Sequence, residues 1–440
     1  MERPIKTDRI VVGNLIFGMI RRHTMFVRKT IVAVIVMMLI SISPAVWAAT
    51  YYVSPKGDDS SDGTSPEKAF ATIQKGIDTA GKGDIVELKE GVYTESIVFG
   101  DKRVTVRSTD YRNWNVVEAT IISGGGSGDV VTFSNPKNRR SRLMGVTITK
   151  GNRGIYCSGI SPTIENCIIR DNADKKSRGG GMYITDGAHP KVKNCVFSGN
   201  VAKEGGAIRI EDKGSSPDIT GCIFIDNTAA RMGGALGNDN RAGPEIVSCV
   251  FTRNTAEEGG AIGVSDESRV ELVNCTIFAN EAKKDGGAIA IEDDSNIEVI
   301  NSIIWGNTAK GGSSQIDHDS SSKVDVSYSD VEGGWTGQGN INADPLFFDP
   351  KDPDGADDMF LTDDDGFYLC RNKGKSPCID TVGSGAPSKD ILGVKRFDVK
   401  GIENKGKGRR KRNFADMGAY EAVKALQKKP STRRKGAKVR

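Results

Sequence analysis

Histidine is nearly absent from this chain, with three in 440 residues, at His23, His189 and His318. Three histidines leave little room for a multi-histidine metal centre or a histidine-based catalytic triad. Aromatic residues make up 6% and hydrophobic residues 37% of the chain, too few for a helical bundle or a many-pass membrane protein. The single long apolar run, residues 31–43, reads IVAVIVMMLISIS and falls short of the roughly 20 residues that span a bilayer as a helix. No transmembrane span is expected in the mature chain. What the sequence holds instead is glycine, 53 residues of it, and charge that is unevenly placed. Residues 395–440 carry 17 Lys/Arg against 4 Asp/Glu, and residues 1–29 carry 7 against 2. With a net charge of +4 overall, the segment between stands at −14.

The apolar run follows Arg28 and Lys29 and ends at Pro44 and the small-residue site Val46-Trp47-Ala48. Charged flank, short apolar stretch and small residue at the cut describe a signal peptide, so residues 1–48 are read as an export signal cleaved after Ala48. Met25 would begin a signal of ordinary length, which marks residues 1–24 as an over-extended start. The expected address is secreted or cell-envelope.

One block recurs through the middle: NCVFSGNVAKEGGAIRIED from Asn194, GCIFIDNTAARMGGALGND from Gly221, SCVFTRNTAEEGGAIGVSD from Ser248 and NCTIFANEAKKDGGAIAIED from Asn274. An earlier copy starts at Asn166 and a degraded one at Asn301. Cys167, Cys195, Cys222, Cys249 and Cys275 mark the period at 28, 27, 27 and 26 residues. Within each unit short runs alternate as strands do, and a further apolar position sits three before each cysteine: Ile164, Val192, Ile219, Ile246, Leu272 and, before Ser302, Val299. Three short strands joined by tight turns fill the period, which is too short for a propeller blade and lacks the leucine-rich consensus. The fold class is therefore all-β: a right-handed parallel β-helix, a three-sheet solenoid whose coils stack about 4.8 Å apart. Phe70, Ile73, Ile77 and Ala80 lie at helical spacing and predict a short N-terminal capping helix over the first coil. The solenoid is placed at residues 49–335, with the ~27-residue repeats at 166–317.

Stacking turns repeated residues into columns. Asn172, Asn200, Asn227, Asn254, Asn280 and Asn307 are expected to form an amide ladder at one corner. The Gly-Gly pairs at 205–206, 233–234, 259–260 and 286–287 permit a tight corner with positive φ. The five repeat cysteines are expected in the core as packed thiols, since parallel stacked copies suit disulfide geometry poorly. Cys370 and Cys378 are the possible disulfide of an exported chain.

The opening YYVSPKGDDSSDGTSPEKAFATIQKGIDTAGKGDIVELKEGVYTE resembles the start of pectin-lyase-like β-helix proteins, a group that includes secreted polysaccharide lyases. The GGA(I/L) and F-x-x-N pairs, such as Phe197–Asn200 with Gly205–Ile208, resemble the repeats of chlamydial polymorphic outer-membrane proteins, whose passenger β-helix is implicated in adhesion. ADPLFFDP from Ala343, SPCID from Ser376 and ADMGAYE ending at Glu421 resemble the choice-of-anchor Q domain of bacterial surface proteins. That resemblance implies a small C-terminal β/irregular domain at 336–421, and the Lys/Arg-rich residues beyond it, 422–440, read as a basic, disordered tail. No membrane β-barrel follows the repeats and no anchoring motif follows Glu421, two departures from these families.

A β-helix lyase needs a Lys or Arg base and a means of neutralising a uronate, often Ca²⁺ on carboxylates. The outward residues of the GGAI strands read Tyr183, Arg209, Gly237, Gly263, Ala290 and Gln315, one base candidate without an acid cluster. Lys102, Arg103, Arg107 and Asp110 in the irregular early coils are the remaining place for such a site. No catalytic residue is assigned. Two acidic features suit a hard cation such as Ca²⁺. One is a ridge of Asp186, Glu211, Asp239, Asp266, Glu292 and Asp317, for which solvated turn formers are the favoured alternative. The other is the loop of Asp352, Asp354, Asp357, Asp358, Asp363 and Asp365, with a solvated acidic loop as its alternative. The expected function is a secreted or surface β-helix that binds glycan or another surface without catalysis. A polysaccharide lyase or hydrolase on the same fold and a purely structural envelope protein are the competing readings. The expected partner is a polysaccharide or cell-surface polymer. The basic tail is free to contact anionic surfaces, and no nucleic-acid function is expected of an exported chain.

Overall fold

The computed structural model describes residues 48–134, 141–370, 375–399, 402, 404 and 414–422. The expected export signal, apart from Ala48, and the expected basic tail, apart from Ala422, lie outside these. Residues from Ala49 onward form one compact unit, and nearly all of its regular structure is parallel strand. Eleven strands from Thr50–Val53 to Lys323–Ser327 make the longest sheet, ten from Gly91–Thr94 to Asp330–Val331 a second, and nine from Ile97–Val98 to Ile316–His318 a third. The expected three-sheet solenoid has a fourth, five-stranded sheet as well, built from two-residue strands such as Val201–Ala202, Thr228–Ala229 and Thr255–Ala256. Those residues follow the ladder asparagines directly. The chain leaves that corner extended and pairs again before the Gly-Gly turn, where the sequence reading saw only a bend.

The predicted cap is present as the helix Ile73–Thr79, started by Thr72 Oγ1 accepting from Lys75 N, with Phe70, Ile73, Ile77 and Ala80 buried. A second helix, Trp114–Ala119, was not foreseen. At six residues it is too short to leave a periodic signal in the sequence, and it lies on the outside of the ten-stranded sheet, where Thr147 Oγ1 donates to Val117 O.

Inside, each repeat places the same side chain over its predecessor. Phe197, Phe224 and Phe251 stack with ring centroids 5.1 and 4.6 Å apart. The repeat cysteines are fully buried beside them, and burial holds the thiols of Cys167, Cys222 and Cys275 well above the usual range. The asparagine amides form a continuous chain. Each Nδ2 from Asn172 to Asn280 donates to Oδ1 of the next asparagine at 2.9–3.1 Å. Asn307 passes the chain to Gln315 Oε1 at 2.8 Å, and Gln315 Nε2 ends it on Glu332. The two glycines of each pair do different jobs. Gly205, Gly233, Gly259 and Gly286 have φ of 61–70°, whereas a Cβ on the second glycine would overlap the next coil's backbone carbonyl.

The C-terminal segment does not stand apart. It lies along the outer face of the ten-stranded sheet, where Phe367, Tyr368, Ile391 and Tyr420 cover Ile223, Ile225 and Val250. Asn274 Nδ2 donates to Asp416 O at 2.9 Å, and Gly383 N donates to Asn301 Oδ1 at 2.8 Å. Acid is buried here: Asp330 of the last strand and Asp365, Asp380, Asp390, Asp416 and Glu421 of the cover are at most 6% exposed. Arg396 is the buried cation among them, 2.9 Å from Glu421. Burial lifts Asp330 to about 6 and Asp365 to about 8. The folded chain thus keeps a proton on Asp365 that the unfolded chain, at its ordinary 3.8, has lost. Stability is full below the unfolded value and drains as pH rises to about 8, at about 1.4 kcal/mol per proton per pH unit. The unfolding midpoint is expected to be higher at pH 5 than at pH 8.5, with a flatter profile in Asp365→Asn. A midpoint that rises with pH across this window would contradict the assignment.

Candidate functional site

The outward column of the nine-stranded sheet runs Tyr156, Tyr183, Arg209, Gly237, Gly263, Ala290 and Asp317. Asp317, not Gln315, is therefore the last outward residue. In the degraded repeat the pair Gly311-Gly312 stands two residues early and Ser313-Ser314 take the corner instead, so counting from Gly-Gly misplaces the register by two. For the same reason Asp317 leaves the expected acidic ridge. The other members divide between two neighbouring columns: Glu211, Asp239 and Glu292 directly follow the strand, and Asp186 and Asp266 lie one residue further on. Asp239 and Asp266 still meet, and the proton they share raises Asp266 to about 6.

Most of this face is committed to internal pairing. The Arg209 side chain is 3% exposed between Glu204 and Asp239. Glu204 also holds Arg178 at 3.4 Å and Arg231 at 2.6 Å. Tyr183 Oη donates to Glu211 at 2.6 Å, and burial together with that bond raises it to about 12. The single base candidate of the sequence reading is thus a buried, doubly paired guanidinium, out of reach of a polymer. Beside it the Arg153 guanidinium lies 4.7 Å from the Tyr156 ring and 5.2 Å from the Tyr183 ring, anchored by Asp129 at 2.6 Å.

The early-coil cations separate as well. Lys102 Nζ donates to Asp78 O and Ala80 O and so closes the capping helix. Arg107 pairs with Glu87 at 2.8 Å, and Asp110 accepts from Arg112 N. Arg103 alone faces a groove. That groove, about 670 Å³, crosses the longest sheet near its N-terminal end and is lined by Lys82, Arg103, Arg142, His189 and Lys191, with Thr105 and Thr163 between. Arg142 is paired to Glu165 and Lys191 to Asp218, while Lys82 and Arg103 make no ion pair among the described residues.

The groove is one half of a longer pattern. The sheet's outward column reads Thr105, Arg142, Thr163, Lys191, then Asp218, Glu245, Glu271, Glu298 and Asp325. Basic coils give way to five carboxylates in a row. Burial, together with the charges of Glu245 and Glu298 on either side, raises Glu271. Sequence reasoning missed this column, though its signal was present. Each residue stands immediately before an inward apolar position already recognised, as Lys191 does before Val192.

The acidic loop does not converge. Asp365 is buried and accepts from Leu361 N and Tyr420 Oη. Asp357 accepts from Met359 N, Asp358 ends a short turn with φ of 57°, and Asp363 is exposed. Asp352 and Asp354 are half-buried. Among the described residues no three acidic, cysteine or histidine side chains are disposed to hold a metal ion. Cys378 is a free thiol that donates to Asp330 Oδ2 at 3.1 Å, in place of the disulfide to Cys370.

The family described as "Right handed beta helix region" matches residues 81–224 and 201–331. Among curated proteins no sequence match was found. Solved structures of similar shape include the pectate lyase Pel9A, with a TM-score of 0.49 and 16% identity over 86% of this chain and 98% of that one. An alginate lyase from Paenibacillus sp. str. FPU-7 aligns with a TM-score of 0.33 and 14% identity over 56% of this chain and 95% of that one. A rhamnogalacturonan lyase gives 0.29 and 16%, over 64% and 68%.

Proposed function

The chain belongs to the right-handed β-helix family, and from that premise we propose that it is an exported, non-catalytic solenoid that holds an acidic polysaccharide along the basic half of its longest sheet. The observation that carries this reading is the groove of Lys82, Arg103, Arg142, His189 and Lys191. A β-helix repeats its outward side chains at about 4.8 Å. A polymer with a charge on each sugar therefore meets cations on successive coils. Single exposed ion pairs contribute only about 0.2–1 kcal/mol, so affinity comes from several engaged together. The carboxylates from Asp218 onward repel the same polymer and confine it to the first coils. Hydrolysis is disfavoured because no carboxylate lines the groove, and elimination, which a Lys or Arg base would serve, is distinguished from binding by whether unsaturated sugar ends appear.

The test is calorimetric titration with polygalacturonate. Arg103→Glu with Lys191→Glu is expected to weaken binding at least tenfold and to flatten its salt dependence, because exposed charges are screened over about 8–10 Å. Unchanged affinity in the double variant would sink the proposal.

A further inference from the structure

A second column deserves the same scrutiny as the amide ladder, because it is broken. The residue before each repeat cysteine sits in left-handed backbone at the corner between the longest and the ten-stranded sheets: Asn166, Asn194, Gly221, Ser248, Asn274 and Asn301, with φ of 50–66°. Asparagine and glycine tolerate that conformation. Asn274 and Asn301 spend their amides on the C-terminal segment. At the two central coils the amide is missing, and there a cleft of about 420 Å³ opens between the helix Trp114–Ala119 and the C-terminal segment.

Several observations independent of the basic groove mark this cleft as a built site. Ser248 is 3% exposed and its Oγ has no hydrogen-bond partner, a state that buried hydroxyls rarely keep. Trp114 lines one wall and Leu361, held at φ of 64°, lines another. Strained backbone of that kind costs of order 1–3 kcal/mol and gathers at ligand sites. Arg112 and Lys389 reach the cleft without an ion pair among the described residues. Asp390, the acid beside them, has both oxygens taken by the backbone of Leu392, Val394 and Glu421. The volume falls within the roughly 300–1,000 Å³ of small-ligand pockets.

We infer that this cleft binds a mono- or disaccharide unit carrying a carboxylate. Trp114 offers a flat apolar face to a sugar ring, Ser248 and Asn194 meet hydroxyls, and Arg112 and Lys389 take the acid. The two missing amides are what leave room for it.

The probe is the digalacturonate disaccharide, followed by calorimetry and by the quenching of tryptophan fluorescence, with the neutral disaccharide cellobiose as the comparison. Ser248→Asn restores the side chain that stands at the equivalent position of Asn274, so it fills the cleft without foreign backbone geometry. Gly221→Asn fills it one coil earlier, where its Cβ would also push aside Asn194 Oδ1, 2.8 Å away. Both fillings and Trp114→Ala are expected to weaken digalacturonate binding at least tenfold while the unfolding midpoints of the asparagine variants stay within a few degrees. Arg103→Glu with Lys191→Glu leaves this site intact, so failure of the groove and failure of the cleft are separable. Wild-type affinity in both filled variants, or no digalacturonate binding by the parent chain at millimolar concentration, would overturn the site. Equal affinity for cellobiose would overturn the requirement for a carboxylate.

Discussion

Asn227→Ala is expected to destabilise the solenoid by about 3–5 kcal/mol, a loss that chemical denaturation reads directly. The side chain is fully buried and makes more than one bond. Its Oδ1 accepts from both Asn200 N and Asn200 Nδ2, at 3.1 and 3.0 Å. Its Nδ2 donates to Phe197 O at 2.9 Å and to Asn254 Oδ1 at 3.0 Å. Alanine strands all of these groups in a dry corner, where each unpaired one costs roughly 1–3 kcal/mol. The damage is also not local, because each amide positions the next. Gln315→Ala at the end of the ladder, where Glu332 and the half-exposed coil edge supply alternatives, is expected to cost less than half as much. Equal losses at the two positions would mean that the amides act singly rather than as a chain.

The second large effect concerns the C-terminal cover. A chain cut after Val331 is expected to self-associate more than the full chain on size-exclusion chromatography, with strong binding of a hydrophobic dye. Cutting there uncovers Ile223, Ile225, Val250 and Ile303, all at most 2% exposed in the whole chain. Each such side chain is worth about 1.5–3 kcal/mol when buried. Together they form an apolar stripe along successive parallel strands, which invites association of copies. A soluble monomeric fragment with the parent unfolding midpoint would show that the cover is an independent appendage. Tyr420→Ala is a milder form of the same test. It leaves the chain length intact while removing a fully buried ring and the donor to Asp365.

The periodic part of this molecule was legible because a β-helix writes its architecture as columns. The cysteine interval set the coil, the inward apolar positions set the strands, and the Phe70–Ala80 spacing set the cap. What was not legible had no period, or had one that was not followed. Trp114–Ala119 is too short to show helical spacing. The C-terminal cover makes its contacts through irregular backbone, so Ile223 and Ile225 read as ordinary strand residues although they face outward. The register slip at Gln315 came from a Gly-Gly pair, Gly311-Gly312, that stands two residues before the corner in a degraded repeat. The charge column from Arg142 to Asp325 was in plain sight one residue before each recognised apolar position. The strand beside Gly-Gly carries the more conspicuous repeat, but its outward residues are paired or covered. Arg209 shows the limit most clearly: its sequence context marks it as an outward cation, but only the fold brings Glu204 and Asp239 onto it.

The proposed hold of the basic coils on an acidic polymer, left whole, is open to one direct test. The direct measurement mixes the chain 49–440 with polygalacturonate, with and without Ca²⁺, and follows co-sedimentation together with the ultraviolet absorbance of unsaturated sugar ends. Co-sedimentation that weakens with salt, at constant absorbance, is the predicted result. Rising absorbance would make the protein a lyase, and absence of co-sedimentation at low salt would remove the groove as a binding site.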